Sequence, residues 1–156
     1  MKLIIKINKF FSLSCQNKIF FIEAYFYLLT TYFSHILLKK QKIIFSLVDT
    51  KNSNKLLDIK QQEIAYSIGK MIQYASSCTL WESTCLLQSL VAKKMLQKRG
   101  ISGVFYVGVK KENMQIKAHA WTESNAVVIT GGRGYEYFTI LSACYWNATK
   151  KYDNKI

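Results

Sequence analysis

The hydrophobic pattern of this chain changes period once, at Gly100, and that single change decides what it can fold into. Before Gly100 apolar residues recur every three to four positions; after it they alternate. Phe20, Phe21, Ala24, Tyr25, Leu28, Tyr32 and Ile36 predict a helix over 18–40, closed favourably for its dipole by Lys39, Lys40 and Lys42. Ile64, Ile68, Met71, Ile72 and Ala75 predict a second over 59–77. Leu86, Leu87, Leu90, Val91, Met95 and Leu96 predict a third over about 84–99, capped by Ser83 or Thr84 and stopped by Gly100 at C′. Beyond it, Ile101, Phe105, Val107 and Val109 alternate, as do Ile116, Ala118 and Ala120. Lys110 to Asn113 and Ser124-Asn125 read as turns, 126–130 as a third strand, and Tyr137 to Tyr145 as the last. Helices followed by an antiparallel meander define an α+β fold, with N-terminal helices packed on the sheet.

The polar run Asp49 to Lys55 is the clearest internal boundary. It divides an N-terminal apolar helical segment, 1–50, from a domain over 51–148, and a polar tail follows at 149–156. The lead-in before residue 18 is basic and apolar. Lys6 and Lys9 break its apolar run, and no small-x-small site follows, so it does not read as a signal peptide. The stretch Ile19 to Leu38 has spanning length but contains Glu23 and His35. A buried or membrane-skimming helix fits it better than a span. The expected location is cytoplasmic, with membrane-surface association left open.

Formal net charge is +13, yet only Arg99 and Arg133 among the 22 basic residues are arginine. Base readers favour arginine for bidentate contacts, and no helix carries a dense basic stripe. Nucleic acid is therefore not an expected partner, whereas an acidic peptide or an anionic surface is compatible with the charge. Cys15, Cys78, Cys85 and Cys144 are widely spaced, with no C-x-x-C pair, so neither a zinc site nor a disulfide scaffold is expected. Gly131-Gly132-Arg133-Gly134 follows a strand, but no Lys-Ser/Thr helix follows it; the glycines read as positive-φ turn residues rather than a phosphate loop. No cofactor or metal is expected.

The chemistry-bearing pair is Cys85, at the start of the third helix, and His119, 34 residues on, in Ala-His-Ala-Trp-Thr-Glu. A helix N-terminus favours a thiolate. An imidazole on a facing strand can take the thiol proton and return it to a leaving group. On the strand 116–123, His119, Trp121 and Glu123 share one face, so Glu123 is a candidate third member.

Trp81-Glu-Ser-Thr-Cys85-Leu-Leu-Gln-Ser89-Leu, Leu96-Gln-Lys-Arg-Gly100-Ile, Val107-Gly-Val109 and Ala118-His-Ala-Trp-Thr-Glu123, in this order and spacing, resemble the lasso-peptide leader peptidases. Those proteins are related to transglutaminases and similar to the C-terminal part of the microcin-processing protein. The resemblance is strongest over about 78–132, and the helix carrying Glu23-Ala24 also resembles the family's N-terminal region. It implies a papain- or transglutaminase-like fold with a Cys–His–Asp triad, in which Cys85 matches the nucleophile and His119 the base. It implies hydrolysis that removes a leader from a precursor peptide. It also implies two partners, a small leader-recognition protein and a lasso cyclase. The family's aspartate falls about a dozen residues after the histidine, where this chain has Gly131. Either Glu123 or a backbone carbonyl then orients the imidazole, or the pair acts as a dyad. Two alternatives follow: a scaffold that keeps the fold without turnover, and a transglutaminase-like acyl transferase.

Overall fold

The computed structural model describes residues 2–37 and 58–147. The expected boundary at Asp49 to Lys55, the run 43–48 and the tail 149–156 lie outside the described residues. The order is α1 (Lys2–Phe11), α2 (Cys15–Leu37), α3 (Ile59–Cys78), α4 (Cys85–Lys98), β1 (Gly103–Glu112), β2 (Gln115–Ser124), β3 (Val127–Thr130), a 3₁₀ turn at Tyr135–Tyr137, and β4 (Thr139–Trp146). The α+β reading holds, with helices followed by one four-stranded antiparallel sheet.

The lead-in, expected only as a basic-apolar stretch, is a helix of its own. Its lysines recur at i, i+4 and i+7, as Lys2, Lys6 and Lys9. Lys6 donates to the Ser77 carbonyl at the C-terminal end of α3, where a cation suits the dipole. Lys9 lies 4.8 Å from the centre of the Tyr74 ring. The last residues of α4 close as expected: Gly100 has φ 64°, and Ile101 N–H donates to Leu96 C=O at 3.0 Å.

β1 runs three residues further than the expected turn allowed. Two tight turns explain this. Asn113 and Met114, then Asn125 and Ala126, all have positive φ, the two-residue hairpin geometry that matches strand twist. Ladder pairing therefore reaches Glu112↔Gln115, and Glu112 binds Lys110 on its own strand and Lys117 across the hairpin.

The sheet order is β3-β2-β1-β4. One sheet face packs on the helices: Phe105, Ala120 and Cys144 join the core with Ile68 and Ile72 of α3 and Val91, Met95 and Leu96 of α4. Phe20, Ala24 and Leu28 bring α2 into the same core. Because β3 and β4 lie at opposite edges, the chain between them must cross the sheet. Residues 131–138 do so over the face away from the helices. That crossing positions the site.

Candidate active site

Cys85 is the first residue of α4. Thr84 caps that helix, its hydroxyl accepting from Leu87 N–H at 3.4 Å. The cap leaves the Cys85 and Leu86 N–H groups without intrahelical partners. The first turn carries no acidic residue, so the helix dipole is not opposed there. The loop leading to Cys85 is pinned by Trp81, whose ring stacks on Tyr32 at 5.1 Å and lies 6.0 Å from Tyr25, both on α2. The thiol is partly buried against the core, and all four cysteines are free.

His119 sits in the middle of the sheet, opposite Gly108. Its face, shared as expected with Trp121 and Glu123, is the one the crossing segment covers. The imidazole lies 5.0 Å from the Phe138 ring and 6.1 Å from Trp121, centre to centre. Tyr106 stacks on Trp121 at 5.1 Å and Tyr135 approaches it at 5.7 Å. Gly108 makes this packing feasible, since a Cβ there would stand 3.0 Å from both Phe138 Cβ and Trp121 Cζ3. Burial, then the Glu123 carboxylate and Tyr145, push the Tyr106 phenol up to about 12, so it stays a neutral donor at neutral pH.

The group nearest the imidazole nitrogen is a backbone atom. His119 Nε2 lies 2.7 Å from the Gly131 carbonyl oxygen. A carbonyl only accepts, so Nε2 carries the proton and Nδ1 keeps the lone pair of a base. Glu123 is engaged elsewhere, accepting from the Trp121 indole N–H at 3.0 Å. Of the alternatives the sequence left open, the backbone carbonyl holds the imidazole, and Glu123 braces the tryptophan beside it.

A buried network joins the helix that carries Cys85 to the loop that holds His119. Ser89, one turn beyond Cys85 and fully buried, donates to the Ala120 carbonyl at 3.2 Å. Its hydroxyl has then spent its proton, so Thr130, 3.1 Å away, donates to Ser89. Thr122 donates to the Ser89 carbonyl at 3.0 Å. Thr130 immediately precedes Gly131, so one serine ties α4 to both sides of the His119 carbonyl contact. At its far end α4 turns through Ile101 into β1, whose start pairs with the end of β2 at Val104↔Glu123. The N-terminus of α4 therefore points to the His119 half of β2. Cys85 lies on the helix side of the sheet, whereas His119 looks out on the opposite face, and the two make no hydrogen bond to one another. Ser89 stood in the sequence motif without a role, and Thr130 and the aromatic neighbours of Trp121 were not singled out; the signal for the network was a polar residue on the apolar face of α4.

Among the described residues no cluster of three or more His, Cys, Asp or Glu is placed to hold a metal. None of their helices is long and apolar enough to cross a membrane.

The structure is thus a capped helix bearing a thiol, packed on an antiparallel sheet whose central strand bears an imidazole. Residues 28–143 match the model of the transglutaminase-like superfamily, and the chain belongs to that superfamily. The superfamily includes cysteine peptidases and acyltransferases. No curated protein and no solved structure matches the chain.

Proposed function

We propose that this protein is a cysteine peptidase that removes the leader from a lasso-peptide precursor. The observation that carries the reading is the His119 Nε2–Gly131 contact, which leaves Nδ1 as base in a fold whose helix N-terminus bears Cys85. Cys85 attacks the scissile carbonyl as thiolate, its proton passing to His119 Nδ1. The free N–H groups at the start of α4 stabilise the oxyanion. His119 then protonates the leaving amine, and it activates the water that releases the leader from Cys85. The reading requires the thiol and the imidazole, held on opposite faces of the sheet in this structure, to meet at the N-terminal end of α4 when peptide is bound. The small leader-recognition protein and the lasso cyclase are the partners that complete this reading.

Mass spectrometry of the precursor peptide incubated with that recognition partner and the wild-type or Cys85→Ala protein tests it. A leader-length fragment formed only by wild type is expected. A fragment formed equally by Cys85→Ala overturns the reading. Incorporation of an added amine in place of hydrolysis establishes the acyl transferase instead. No fragment, with precursor and partner bound, establishes the scaffold.

A further inference from the structure

We infer that the outward face of α2 is a docking surface for an anionic lipid bilayer. α2 buries Phe20, Ala24 and Leu28. Half a turn away, Ile19, Ile22, Phe26 and Phe33 form a stripe on the opposite side, about 21 Å long at 1.5 Å per residue. Together with Phe11 at the end of α1 these side chains are 53–69% exposed. A surface helix normally turns charged residues outward, yet no charge lies within this stripe, and contiguous exposed apolar surface marks an interaction site.

The charge around the stripe selects the occupant. Lys18 stands one turn from Ile22 beside the stripe, the chain carries a formal net charge of +13, and the one acidic residue in 1–37 is Glu23. Glu23 is not available to repel a lipid phosphate: Lys98 and Arg99 both bind it. In sequence, Lys39-Lys40-Gln41-Lys42 follows Leu38. An apolar stripe with a lysine beside it, on a chain this basic, matches a helix lying in the interface of an anionic membrane, where burial and phosphate attraction add. The helix lies rather than spans, because its other face is committed to the core.

Flotation of the full-length protein with vesicles of phosphatidylcholine, alone or mixed with phosphatidylglycerol, tests the inference. Wild type is expected to float with the anionic vesicles, less in high salt and less with phosphatidylcholine alone. Ile22→Glu and Phe26→Glu, both at exposed positions, should retain the wild-type circular dichroism and lower vesicle partition by about tenfold each, the loss of one half-buried apolar side chain plus a repelled charge. Cys85→Ala should float like wild type, which separates this outcome from that of the proposed peptidase. Wild type remaining in the aqueous fraction with anionic vesicles overturns the inference. So does equal flotation of the glutamate variants. A dimer in light scattering that these variants dissociate, without vesicle binding, assigns the stripe to a second copy instead.

Discussion

Replacing Gly131 with alanine separates the backbone geometry of the site from its side chains. Gly131 has φ +73°, a conformation that costs an L-residue about 1–2 kcal/mol. The added Cβ would stand 2.8 Å from Trp121 Cβ and closer still to the Ala120 carbonyl oxygen. Both neighbours lie on β2, paired by ladders on either side, so the loop must yield. Overpacking of this kind costs about 1–3 kcal/mol. The sum, roughly 2–5 kcal/mol, lowers the melting midpoint of a chain this size by roughly 4–20 °C. Thermal unfolding followed by circular dichroism measures that loss. Turnover measured well below the lowered midpoint reads the second consequence: the carbonyl that receives the His119 proton is displaced, so activity falls in protein that is still folded. Gly131→Asp should behave no better, because the position has no room for the family's carboxylate. Gly132→Ala is the control, with ordinary φ and only the Val128 side chain nearby at 3.2 Å. A Gly131→Ala melting curve superimposable on wild type, or a gain of turnover in Gly131→Asp, refutes the reasoning.

Ser89→Ala should destabilise by about 1–3 kcal/mol, since it strips a partner from Thr130 and the Ala120 carbonyl in a fully buried setting; denaturant unfolding measures it, and a neutral result removes the network from the account. Burial alone would raise the Glu23 carboxyl, but the Arg99 and Lys98 hydrogen bonds and charges outweigh it and hold it below the ordinary carboxylate range. A depressed carboxylate contributes stability above its unfolded value and loses it as pH falls through the folded one. Melting midpoints of wild type and Glu23→Gln should thus differ at neutral pH and converge below the ordinary carboxylate range; a constant gap down to strongly acidic pH contradicts the assignment. Glu123→Gln keeps an oxygen for the Trp121 indole to donate to, so turnover should change by less than about threefold. A loss equal to that of His119→Ala would return Glu123 to the catalytic group.

The helices were legible because their signals are local and redundant. Thr84, Cys85, the apolar run and Gly100 state the start, face and stop of α4 independently. The strands were legible in type but not in length, since Met114 and Ala126 accept positive φ that their composition does not advertise. What no local pattern discloses is strand order. Only the placement of β4 beside β1 sends 131–138 across the sheet, and only that crossing explains why His119 meets Phe138, why Gly108 must lack a side chain, and why Trp121 has Tyr135 beside it. α1 escaped because Lys6 and Lys9 look like interruptions in sequence, yet in space they serve the end of α3.

In the proposed peptidase the Gly131 carbonyl would take the orienting role of the family's carboxylate. An orienting group beside a catalytic imidazole has two tasks: fixing the tautomer and ring plane, and offsetting the charge of the imidazolium. A serine nucleophile needs both, because its proton must leave as the bond forms. A cysteine ionises far more readily, especially at a helix N-terminus, so the imidazole mainly has to be held and aimed. Papain-like enzymes accordingly use a neutral asparagine in that place. The Gly131 carbonyl presents the same amide oxygen from the main chain, 2.7 Å from Nε2. It holds that oxygen more rigidly than a side chain would, because the glycine φ, the Ala120 contact and the Thr130–Ser89 bond leave the peptide one place to lie. Substitution of the carboxylate by a fixed peptide dipole then costs charge compensation but not alignment, and for a thiol nucleophile alignment is the larger share.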